Sequence, residues 1–95
     1  MDNIFENLTK MRYMVRCKMK RLFGEKAKPY FTYSVMDGER LVDNYASMEE
    51  LRKAFGRGKV KVRYVLEVEV DEDHSNILSY GKDRAEAYRN FLLNY

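Results

Sequence analysis

The side chains able to do bond-breaking chemistry are few in this sequence. His74 is the only histidine and Cys17 the only cysteine. A nucleophilic triad needs a base beside a Ser or Cys. His74 lies in a turn and Cys17 mid-helix, where flanking cations would lower its thiol pKa. Two N/S ligands fall short of the four a structural zinc takes. Asp71-Glu72-Asp73-His74-Ser75 begins like a calcium loop. However, its sixth position is Asn76 instead of Gly and its twelfth is Lys82 instead of Glu. Gly56-Arg57-Gly58-Lys59 lacks the spacing of a phosphate loop and leads into a strand, so no helix dipole faces a phosphate. The sequence predicts a non-enzymatic protein with no cofactor and no metal.

The cations carry more information. Residues 1–30 hold eight Lys and Arg against three acids, net +5, whereas residues 31–95 hold ten against twelve, net −2. Such an asymmetry suits an anionic partner on one side. Arg16, Lys20 and Arg21 form one row, with Tyr13 among them. Arg57, Lys59, Lys61 and Arg63 form a second. Cations interleaved with aromatics suit phosphate contact and base stacking, so these eight residues are the expected nucleic-acid-binding set. The alternative is a protein-interaction inhibitor whose acidic turn, Asp71, Glu72 and Asp73, mimics phosphate.

Elements must hold these rows. A helix capped by Asp2 or Asn3 and running to about Phe23 places Ile4, Leu8, Met11, Val15, Met19 and Leu22 on one apolar stripe, with Cys17 opposite. Gly24 and Pro29 end it. Tyr30–Met36 and Arg40–Tyr45 read as strands about an Asp-Gly turn. Ser47, with Glu50 three residues on, caps a short helix whose inner face is Met48, Leu51, Ala54 and Phe55. Lys59–Asp71 alternates strictly. Val62, Tyr64, Leu66, Val68 and Val70 point inward, against a wet face that is basic at its start and acidic at its end. Asn76–Tyr80 is a fourth strand, broken by Gly81. A last helix, about Asp83–Asn94, turns Ala85, Tyr88, Phe91, Leu92 and Tyr95 inward.

The expected fold is α+β in α-ββα-ββα order: a four-stranded antiparallel sheet with two helices on one face and a long amphipathic N-terminal helix. Tyr45, Leu51 and Phe55 parallel Tyr80, Ala87 and Phe91, which predicts a pseudo-symmetric sheet. The stripe of helix one would cover the second sheet face or another copy, making a homodimer through that helix.

The order of elements resembles one unit of the LAGLIDADG homing endonucleases. Leu51–Val62, LRKAFGRGKVKV, is similar to the stretch joining a helix to a strand there. The family's defining helix ends in an acidic metal ligand beside small residues. This one reads KMKRLFGE, with Leu22 and Phe23 where Gly or Ala is needed and only Glu25 to stand in for the acid. Nuclease activity is therefore not carried over, and a metal-dependent nuclease is the least favoured expectation. The order is also compatible with small αβββα-like RNA-binding folds.

At 95 residues, 45% apolar and 35% charged, the chain is one globular domain, residues 1–95. The longest uncharged run, Pro29–Met36, is far short of a membrane span, and charges interrupt the first helix as no signal peptide allows. The expectation is a small binding protein acting on nucleic acid or on a nucleic-acid-processing complex. It would be of a phage- or plasmid-type regulator or inhibitor, in the cytoplasm of a prokaryotic host and virus-encoded.

Overall fold

A computed structural model describes residues 7–56, 58 and 60–95. The elements follow in the order α1 (Leu8–Phe23), β1 (Lys28–Asp37), β2 (Arg40–Tyr45), α2 (Met48–Phe55), β3 (Lys61–Asp71), β4 (His74–Gly81) and α3 (Arg84–Asn94). The α+β order is the expected one. The strands form one antiparallel sheet in the order β2-β1-β3-β4, so β1 and β3 pair at its centre with Tyr33 opposite Tyr64.

Helix α1 begins later than expected. Asn7 caps it, its side-chain oxygen accepting from the Lys10 amide at 3.0 Å. Asp2 and Asn3 lie outside the described residues. Its inward side is Met11, Val15 and Met19, all fully buried, while Leu8 and Leu22 at the two ends stay about half exposed. Each such fully buried side chain contributes about 1.5–3 kcal/mol.

The stripe does not cover the second sheet face. Met11, Val15 and Met19 cluster with Leu66 and Val68 of β3, Leu78 of β4, and Ala87, Tyr88 and Phe91 of α3. Leu51 of α2 packs with Tyr33 and Val35, beside Val62 and Tyr64. Because Val62, Tyr64, Leu66 and Val68 share one side of β3, all three helices lie on that side. The physical reason is that α3 alone leaves β3 partly bare, and α1 fills the space alongside it. Lys18 ties the pair. Its ammonium donates to the carbonyls of Phe91 (3.1 Å), Leu92 (3.5 Å) and Tyr95 (2.9 Å), at the C-terminal end of α3. The Phe91 carbonyl also accepts from the Tyr95 amide at 3.3 Å, and the last carbonyls of a helix lack intrahelical donors.

Two further expectations change. Tyr45, opposite Tyr33 in β1, corresponds to Gly81, opposite Tyr64 in β3, and not to Tyr80. Tyr45 therefore packs on the helix side against Phe55 (centroids 6.0 Å apart), whereas Tyr80 projects from the other face. Gly81 does not break β4 but ends it as a paired, buried residue. A Cβ there would lie 2.4 Å from the Ala87 backbone nitrogen, so glycine lets the strand meet the first turn of α3. The carbonyl of its neighbour Tyr80 accepts from the Asn90 side-chain amide at 2.8 Å. At the other side of the sheet β2 is exposed along nearly its whole length, with a bulge in its pairing at Val35/Met36.

Candidate functional site

The two cationic rows stand on opposite sides of the molecule. Lys61 and Arg63 alternate with Val62 and Tyr64 and so point away from the helices. Tyr13, Arg16, Lys20 and Arg21 lie on the exposed side of α1, over the helix-bearing face. Arg57 and Lys59 lie outside the described residues.

The helix-free face mixes its charges. The Arg63 guanidinium stacks 4.1 Å from the Tyr80 ring centroid, with its Nε buried and unpartnered. Glu67, further along β3, accepts from Thr32 Oγ1 at 2.6 Å and from the Tyr30 hydroxyl at 3.2 Å. Asn44 Nδ2 donates to Ser34 Oγ at 2.9 Å and Thr32 Oγ1 at 3.2 Å. Ser34 and Val65, at its centre, are 3% and 2% exposed. Apart from the Arg63 nitrogen, the centre of this face thus satisfies its own polar groups, and it carries Glu67 and Glu69 beside Lys61 and Arg63.

Helix α1 is different. It carries Lys10, Arg12, Arg16, Lys18, Lys20 and Arg21 and not one acid. Lys18 is occupied at the end of α3. Arg12 and Arg16, one turn apart, flank the buried Met11 and Val15. They border a groove of about 280 Å³ together with Tyr33, Arg84 and Tyr88, over a floor that includes Phe31 and Leu66. Arg84, the first residue of α3, reaches across to donate to the Tyr33 hydroxyl at 3.5 Å. Burial pushes the Tyr88 phenol up, while Arg12, Arg84 and Arg16 pull it the other way. The groove opens where the two apolar clusters meet at Phe31. Sequence reasoning missed Arg12, Arg84, Tyr33 and Tyr88. The i, i+4 spacing of Arg12 and Arg16 was the one signal available.

Cys17 is exposed, one turn from Tyr13, whose phenol is pushed up by the hydrogen bond to the thiol. In the acidic turn Asp71 accepts from the Asp73 amide at 2.9 Å and sits 2.8 Å from His74 Nδ1. His74 and the Asp73 amide together hold its carboxyl below the usual range. Glu72 and Asp73 are exposed. Among the described residues no three carboxylate, His or Cys side chains group as a metal site, and no helix is long and apolar enough to cross a membrane.

Compared with family models, with curated proteins and with solved structures, the chain matches none. Function must therefore be read from the chemistry of the surface itself.

Proposed function

We propose that the protein is a non-enzymatic nucleic-acid-binding protein whose phosphate contacts lie along α1. The observation that carries this reading is the absence of any acid from the helix: six cations stand on sixteen residues, one of them, Lys18, tied to the end of α3. Phosphate binding releases counterions in proportion to the cations engaged, so an acid-free row is the arrangement that profits most. Tyr13, 71% exposed within that row, offers a ring for a base to stack on. Lys61 and Arg63 are left as secondary contacts, because Glu67 and Glu69 share their face. On this reading the protein acts in a cytoplasm, on nucleic acid or on a complex that processes it, in the manner of a phage- or plasmid-type regulator.

The test is the salt dependence of binding to a DNA duplex and to single-stranded RNA. Changing Lys20 and Arg21 together to Gln should lower the slope of log affinity against log salt by about 1.8 on duplex, roughly 0.9 for each phosphate no longer neutralised. The melting temperature should stay put, since exposed charges contribute little to stability. Lys61→Gln, at a secondary contact, should lower the slope by less than half as much as the Lys20, Arg21 pair. If the wild type binds neither nucleic acid at about 50 mM salt, where such binding is strong, the reading falls. Asp71, Glu72 and Asp73 then become the surface to test against protein partners.

A further inference from the structure

The groove beneath α1 has a composition that a mere solvated surface does not need. Three guanidinium groups, from Arg12, Arg16 and Arg84, converge on it from two helices, and among the described residues no carboxylate lines it. None of the three has an ion-pair partner among the described residues. Glu67 accepts from the hydroxyl of Tyr30, a residue of the groove wall, while Glu25, Glu69, Asp71 and Glu72 line a separate groove that Arg16 also borders. Like charges gathered without a counter-charge repel one another, and an anion between them relieves that repulsion. The floor of Val15, Pro29, Phe31 and Leu66 is apolar, which strengthens a charge-assisted hydrogen bond formed above it. Tyr33 and Tyr88 add hydroxyl groups at its wall, Tyr33 already aligned by Arg84.

We propose that this groove binds a phosphate monoester dianion, held by Arg12, Arg16 and Arg84 with the Tyr33 and Tyr88 hydroxyls beside them. A monoester carries close to two negative charges and three terminal oxygens. That matches three forked donors better than a carboxylate, with one charge and two oxygens, or an internal phosphodiester. A volume of about 280 Å³ is at the small end for ligand sites, enough for the phosphate and the group it is attached to. The site goes beyond duplex binding by α1: its ligand is a terminal phosphate, whether on a free small ester or at the end of a strand.

Backbone NMR titrations with inorganic phosphate, a 5′-phosphorylated trinucleotide and the same trinucleotide with a 5′-hydroxyl test the proposal. Inorganic phosphate should shift the Arg84 and Tyr88 amides saturably. Arg84→Gln should weaken it at least tenfold, as should Arg12→Gln, which lies on a different helix and guards against a folding defect. Lys53→Gln, an exposed cation of α2 paired with Glu49, should change it less than twofold. A tenfold preference for the phosphorylated over the hydroxyl trinucleotide, with tighter binding than inorganic phosphate, assigns a strand end. Equal affinity for inorganic phosphate and the phosphorylated trinucleotide assigns a small free ester. No saturable shift with either phosphate-bearing probe overturns the proposal, and so does an Arg84→Gln, Arg12→Gln pair that both bind like wild type. Saturable phosphate shifts in a protein that fails the duplex salt titration would leave this site standing and remove the α1 reading alone.

Discussion

Replacing Gly81 with Ala adds a single methyl at the tightest approach between sheet and helix. That carbon would lie 2.4 Å from the Ala87 nitrogen, 2.9 Å from the Asp83 carbonyl oxygen and 2.9 Å from the Glu86 carbonyl carbon. All three are backbone atoms, and the Ala87 amide also donates to Asp83 O at 3.2 Å, the first hydrogen bond of α3. No rotamer change can relieve the overlap, so the first turn of α3 must withdraw by about 1 Å to reach ordinary contact distance. Withdrawal disturbs the buried Ala87 and the hydrogen bond from Ser79 Oγ to the Ala87 carbonyl, 2.6 Å long. Overpacking costs about 1–3 kcal/mol, and the weakened Ser79 bond about 1 kcal/mol more. Restricting the unfolded chain returns about 0.4–1 kcal/mol. The net loss is about 1–3.6 kcal/mol, a fall of roughly 4–29 °C in Tm for a domain of this size. Gly38→Ala is the control. Its φ of +63° is strained for Ala, yet nothing stands within 4 Å, so strain of about 1–2 kcal/mol is the main cost. Calorimetry of both variants decides. A Gly81→Ala protein as stable as wild type, or more stable than Gly38→Ala, would refute the steric account.

Lys18→Met keeps the stem length but removes the donor to three carbonyls at the end of α3. Charged hydrogen bonds are worth about 1.5–3 kcal/mol when intact. The variant should be about 1–3 kcal/mol less stable in urea unfolding, with faster amide exchange confined to the last turn of α3. Asp71 should titrate below the ordinary Asp value by carboxyl NMR, and return towards it in His74→Ala, because His74 is the largest cause of its depression. Since its folded-state pKa is the lower one, its small stabilising contribution is present above the unfolded value and disappears as pH falls through the folded one.

Much of the fold can be read from local pattern. The alternation of Val62 to Val70 with Lys61 to Asp71 is legible because the helix side of β3 is dry and its other face mostly wet, Val65 being the buried exception, and Ser47 with Glu50 marks the start of α2. Features set by long-range packing were not legible. Nothing in α1 alone says whether Met11, Val15 and Met19 meet the free face of the sheet or the side that α3 occupies. That choice brings Arg12 and Arg16 to Arg84, residues far apart in sequence. It also carries Lys61 and Arg63 away from the α1 row, although their composition suggested a single surface. Gly81 looked like a strand breaker because a glycine needed for close approach and one needed for a turn are the same letter.

The two outer strands differ in what they offer to another chain. Along β4 the Tyr80 carbonyl is taken by Asn90, and α3 grips the strand through Ser79. Along β2 the backbone lies open, with Leu41 55% and Val42 45% exposed. Unpaired rims of this kind template intermolecular strand addition unless charges and bulges blunt them. Arg40, Asp43 and the bulge at Val35/Met36 blunt this one. Pairing of β2 with β2 of a second copy would use the same rim on both molecules and so close as a two-fold pair. Loss of Arg40 or Asp43 would therefore favour pairing of β2 with β2 of a second copy.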